Sequence, residues 1–171
     1  ISTNVANYPE ALELGGTVSL SVFLQDFSVS SQEIYPETVA LSSDGLNMYM
    51  SGLSSANVYQ YTLSTAWDIS TAVYLQSFTT SAGQPMGLTF ASNGSKMYVV
   101  NNIGAKIIEY TLSTPWDIST SSFVAEIVVL NQDNYPRGVS MSTDGTKMFM
   151  AGNQNSAIKG YALTTPYAIN S

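Results

Sequence analysis

The chain is predicted to be all-β, built from three copies of a four-stranded antiparallel unit of about fifty residues, and three observations lead there. Residues 61–71 read YTLSTAWDIST and residues 110–120 read YTLSTPWDIST, with ten identities in eleven, and residues 161–169 return as YALTTPYAI. The tyrosines that open these segments, Tyr61, Tyr110 and Tyr161, are spaced 49 and 51 residues apart. In the same register SSDGLNMYM (42–50), SNGSKMYVV (92–100) and TDGTKMFM (143–150) recur, each with a turn dipeptide followed by a short apolar run.

Within a unit, strand-like runs alternate with turn chemistry. The first strand is expected at 38–42, 87–92 and 138–142. It ends in Asp44-Gly45, Asn93-Gly94 and Asp144-Gly145, dipeptides that accept the positive φ of a tight hairpin. The second strand follows at 47–51, 96–100 and 147–151, and the third at 58–63, 106–112 and 157–163. After the Trp-Asp turn, a fourth runs through 72–79 and 122–129. In the second strand Met48, Tyr49 and Met50 are apolar on both faces. Such a strand must be covered on both sides, as the stacked blades of a β-propeller cover theirs, and essentially no helix is expected.

The chain starts and stops in the same turn of the repeat, at Ile1-Ser2-Thr3 and Ile169-Asn170-Ser171. The expected division is an outer strand plus an insertion in 1–33, blades at 34–80 and 81–130, and an incomplete blade at 131–171. The outer strand, residues 19–29, has no first three strands before it, and the last blade lacks a fourth. The expectation is therefore three blades of a ring completed by a second copy or by sequence of a longer parent, and a chain excised from something larger.

The DGTKMY and YTLSTPWDIST motifs resemble a propeller repeat that recurs in marine bacterial and bacteriophage proteins, related to the WD40-like and YVTN-like propellers. The resemblance covers almost the whole chain. It implies the fold and leaves function open, since propellers host enzymes, receptors and scaffolds alike. Trp67-Asp68 and Trp116-Asp117 begin a turn here instead of ending a strand, so the WD40 partner repertoire is not carried over.

Composition narrows the function classes. The net charge is −7 with only five basic residues, scattered along the chain, which disfavours nucleic acid as a partner. No apolar run is long enough for a membrane-spanning helix, so no membrane insertion is expected. With neither cysteine nor histidine there is no thiol or imidazole catalysis, no zinc site of the usual kinds, and no reading of redox compartment. No cofactor is expected. A Ser- and Thr-rich, charge-poor composition suits an extracellular or virion-surface β-protein.

Repeat-equivalent residues carry the functional candidates. Trp67, Trp116 and Tyr167 are read as filling the gap between each blade and the next, with the following Asp capping the turn, and sugar stacking as the alternative. Asp44, Asn93 and Asp144 are read as hairpin formers, with calcium ligation as the alternative. Asn93-Gly94-Ser95 also matches a glycosylation acceptor. The copies diverge at Glu37, Met86 and Arg137, directly after the proline of each first strand. They diverge again in the loop between second and third strands. The candidate ligand site is thus the channel rim, made of Tyr35, Glu37, Gln84, Met86, Tyr135 and Arg137 together with Asn101, Asn102, Asn153 and Gln154. A non-catalytic structural or adhesive module recognising a glycan or protein partner is the leading expectation. A metal-dependent lactonase-type hydrolase built on Glu37, Asn102 and Asn153 is the alternative.

Overall fold

The computed structural model describes residues 23–154 and 156–171. These form three antiparallel sheets in sequence order. The first blade consists of β1 (Pro36–Leu41), β2 (Asn47–Gly52), β3 (Asn57–Leu63) and β4 (Ala72–Thr79). The second consists of β5 (Pro85–Phe90), β6 (Lys96–Asn101), β7 (Lys106–Leu112) and β8 (Ser121–Val128). The third has β9 (Pro136–Met141), β10 (Lys147–Gly152) and β11 (Ile158–Ala162). Each strand pairs with its sequence neighbour, as expected of propeller blades.

The expected first strands start two residues late. Pro36, Pro85 and Pro136 open these strands, and the ladder skips a residue just after Pro36 and Pro85. Proline has no N–H to give a ladder, and on the innermost strand of a blade none is required of it. The expected fourth strand at 19–29 lies partly outside the described residues, and residues 23–29 form no ladder. Among the described residues helix is limited to single 3-10 turns at Ile69–Thr71 and Ile118–Thr120, inside the Trp-Asp motif. Asp68 and Asp117 cap them, accepting from the Ser70 and Ser119 N–H groups at 3.0 Å.

Three buried clusters form the core. One lies between blades one and two, around Tyr49, Val58, Leu88, Met97, Val99 and Ile108. A second lies between blades two and three, around Tyr98, Ile107, Met148 and Met150. The third covers the outer face of blade one, where Phe27 and Val29 pack on Met48, Met50, Tyr59 and Tyr61. Blades are thus glued face to face by the doubly apolar second and third strands.

The junctions also carry a repeated polar latch. The Tyr49 hydroxyl donates to the Trp116 carbonyl at 2.5 Å, Gln60 Nε2 donates to the same carbonyl at 3.0 Å, and Gln60 Oε1 accepts from the Ile118 N–H at 3.2 Å. At the next junction the Tyr98 hydroxyl and Lys96 Nζ donate to the Tyr167 carbonyl at 2.8 and 2.9 Å, while Glu109 Oε2 accepts from the Ile169 N–H at 2.9 Å. Burial pushes the Tyr49 and Tyr98 phenols well above their usual range, so each remains a donor.

Candidate functional site

The aromatic turn and the hairpin of each blade are built against each other. Trp67, Trp116 and Tyr167 have φ of 65°, 66° and 63°, a left-handed backbone that bulky residues seldom adopt. Each N–H donates to the carbonyl of the hairpin glycine, Gly45, Gly94 or Gly145, and each ring lies where a glycine Cβ would stand. Trp116 also stacks near Tyr49 and Phe90, with ring centroids 6.4 and 5.4 Å away. The ring therefore joins its blade to the preceding one. Asp44, Asn93 and Asp144 use their side chains inside the turn, accepting from the N–H of Leu46, Ser95 and Thr146 at 3.0 Å. Among the described residues no group of three or more His, Cys, Asp or Glu is gathered as a metal site.

The channel end of the blades is different. β1, β5 and β9 converge on a cleft of about 300 Å³ lined in part by Glu37, Thr38, Met86, Leu88, Arg137 and Val139. Glu37, Met86 and Arg137, one residue from each blade, all line this cleft. The Arg137 guanidinium stands 4.0 Å from the Glu37 carboxylate and 3.9 Å from the Met86 sulfur. Arg137 Nε is buried with no hydrogen-bond partner among the described residues. Gly87 permits this convergence, since a Cβ there would collide with the Arg137 carbonyl.

The remaining candidates separate into two groups. Tyr35 and Tyr135 occupy equivalent places on the rim and are exposed, as are Asn153 and Gln154. Asn101, by contrast, is buried and structural. Its Oδ1 accepts from the Ile103 N–H at 3.0 Å and the Gln84 N–H at 3.5 Å. Asn102 and Gln84 pair loosely at 3.5 Å, and Asn102 Oδ1 has no partner among the described residues. Neither Asn102 nor Asn153 lines the cleft with Glu37.

Besides Glu109 at the blade junction, two buried carboxylates beneath the rim, Glu33 and Asp133, carried no sequence expectation. Glu33 accepts from the Tyr35 and Ser54 N–H groups at 2.9 Å, and Asp133 accepts from the Tyr135 N–H at 2.9 Å and from Lys159 Nζ at 2.7 Å. Burial opposes ionisation of both. The Ser54, Tyr35 and Ser55 bonds at Glu33, and the Lys159, Tyr135 and Gln154 bonds at Asp133, outweigh it and hold each below the usual carboxylate range. They tie the linker entering a blade to the loop between its second and third strands, so they shape the rim from beneath. The available signal was an acid 19 residues before a glycine, Glu33 and Gly52, then Asp133 and Gly152.

No family model and no curated protein matches the chain. Solved structures do. The periplasmic gluconolactonase of Pseudomonas aeruginosa is similar at a TM-score of 0.57 and 20% identity, over 74% of this chain and 35% of that one. A protein assigned as a 6-phosphogluconolactonase from Bacteroides fragilis is similar at 0.58 and 14%, over 74% of this chain and 34% of that one. The β-propeller domain of Cps50 (Swd1) from Myceliophteria thermophila is similar at 0.55 and 8%, over 75% of this chain and 40% of that one. At these identities the likeness speaks to fold alone, and the chain spans well under half the length of these proteins. Three antiparallel blades in sequence order, similar to rings of greater length, make this chain a three-bladed part of a β-propeller.

Proposed function

We propose that the chain is a non-catalytic binding module, part of an adhesive propeller displayed outside the cell or on a virion, that meets a glycan or protein partner at the channel rim. One observation carries this reading: a position where the three repeats differ in chemistry, occupied by Glu37, Met86 and Arg137, is also where they share one cleft. A carboxylate acceptor and a guanidinium donor face each other there, flanked on the rim by two exposed tyrosines. Paired donor and acceptor beside aromatic faces suit hydroxyl-rich or peptide ligands. Titration against glycan and surface-protein panels tests it. Glu37→Ala and Arg137→Ala should each weaken a detected ligand at least about tenfold, with the melting midpoint unchanged. Binding lost only on substitution in the tryptophan turn would overturn the assignment.

The second reading, a metal-dependent lactonase-type hydrolase, draws on the names of the structural neighbours. Its support is thinner, because Glu37 faces a cation and is the sole carboxylate lining the cleft among the described residues. Hydrolysis of gluconolactone that requires an added divalent cation and disappears in Glu37→Gln would install it in place of the binding reading.

A further inference from the structure

The register positions that bury the blade junctions appear once more at the two ends of the array, where they are exposed. Val58 and Leu88 meet in the first junction, and Ile107 and Val139 in the second. Val58 and Ile107 are 0% exposed. The third residues at these two positions are Ile158 on β11 and Val39 on β1, which are 71% and 61% exposed. Phe149, at the position of the fully buried Tyr49 and Tyr98, is 41% exposed, and Trp67 is 59% exposed. Apolar residues kept at junction positions on both end faces indicate that each end faces another blade.

What covers the blade-one end is partly visible. Phe27 packs edge-on against Tyr61 with centroids 5.6 Å apart at 82°, as Phe78 of β4 packs on Tyr110 at 5.2 Å and 81°. The Gln25 side chain bonds Asp68 as Gln76 bonds Asp117. Residues 23–29 therefore occupy the place of an outer strand from a preceding blade, and the inner part of that place is an open groove of about 300 Å³ over Pro36, Val39, Met48 and Met50. At the other end the third blade has three strands and, among the described residues, nothing along the outer edge of β11.

We propose that a second copy of this chain fills the groove. Blade three of one copy packs on blade one of the other, residues 23–29 of the latter run beside β11 of the former, and the reciprocal junction closes a six-bladed ring. Among the described residues, blade three carries no strand beyond β11, and residues 23–29 stand in the place of such a strand. They are complementary in register too, for Gly160 would lie opposite Gln25 of the second copy as Gln60 lies opposite Gln76. The face offered by blade three is largely apolar around Phe149 and Ile158, with exposed Lys147 at its edge in the position of Lys96, and Lys159 is turned away to Asp133. Six blades fall within the range in which propellers close, and closure about a two-fold axis leaves no open end to polymerise.

The seam differs from the internal junctions in one respect. Phe149 and Gly160 stand where Tyr49 and Gln60, or Tyr98 and Glu109, make the polar latch, and of its donors only a lysine, Lys147 at the position of Lys96, is kept. The ring would therefore open at the seam first.

Light scattering of the 171-residue chain at micromolar concentration should give twice the 18.3 kDa chain mass. Val39→Glu and Ile158→Lys, both at exposed positions, should each yield a folded monomer, and a mixture of the two should recover a dimer through one unaltered junction and one opposite-charge junction. Phe149→Tyr combined with Gly160→Gln should slow subunit exchange at least about tenfold by adding the latch. A folded wild-type monomer would overturn the proposal and assign the groove to other blades of a longer polypeptide. A dimer that survives both single variants would overturn it in favour of another face.

Discussion

The Asp133 carboxylate fills the space that a side chain on Gly152 would need: a Cβ built on Gly152 lies 2.5 Å from Asp133 Cγ. Glu33 and Gly52 stand in the same relation in blade one. In blade two the linker is shorter, seven residues from Phe78 to Pro85 against nine from Ile127 to Pro136, and no acid reaches beneath the rim. There the strand itself supplies the acceptor, with Asn101 at the glycine position. One structural need, an acceptor for the N–H groups of two loops, is met from opposite sides of the same gap.

Gly152→Ala should therefore cost about 2–4 kcal/mol, since neither the carboxylate nor the strand can yield without breaking hydrogen bonds. Asp133→Ala should cost about 3–5 kcal/mol by stranding Lys159 and two loop N–H groups. Urea unfolding of each variant measures this. A loss below about 1 kcal/mol for both would show that the loops find other partners.

The blade latches should be unequal in strength. Gln60→Ala removes contacts to both the Trp116 carbonyl and the Ile118 N–H and should cost about 2–3 kcal/mol. Tyr98→Phe removes a single bond, and Lys96 still serves the same carbonyl, so about 1 kcal/mol is expected. Denaturant midpoints at constant slope separate the two.

Gly94→Ala and Trp116→Ala probe one contact from its two sides. Alanine at Gly94 must adopt a φ of 72° and displace the indole, and the expected cost is about 2–4 kcal/mol. Trp116→Ala empties the same place and should cost about 3–4 kcal/mol. In the double variant the steric part of the glycine effect disappears, so the sum should exceed the measured loss.

Acid should unfold the protein over a low window. Asp144 is held down to about 2 by the Ser142 hydroxyl and the Thr146 N–H, from an ordinary 3.8. Asp44 and Asp117 are lowered chiefly by the hydroxyls of Ser42 and Ser119, and the buried Glu33 and Asp133 are lowered as well. A carboxylate with a depressed folded pKa contributes stability that is present above its unfolded value and lost as pH falls through its folded one. The melting midpoint should thus hold steady from neutrality to about pH 4.5 and fall between about 4 and 2. Asp144→Asn should reduce the fall at the lower end. A midpoint already falling at pH 6 would contradict this assignment.

The repeat by itself determined the sheet order, the hairpins at Gly45, Gly94 and Gly145, and the stacking of blades, because turn dipeptides and doubly apolar strands are local patterns that survive in each copy. It also placed Glu37, Met86 and Arg137 on a common rim, since equivalent positions in a repeat occupy equivalent places. Only the tertiary structure decided that Asn101 belongs to the frame and not to the rim surface. It alone decided that Glu33 and Asp133 are buried beneath the rim, and that the tryptophan turn joins its blade to the one before. Each of these depends on what approaches from a neighbouring loop or blade, with partners 20 to 60 residues away in several cases. A buried carboxylate is written in the sequence with the same letter as a solvated one, and the N–H groups and lysine that receive it are assembled only when the loops meet.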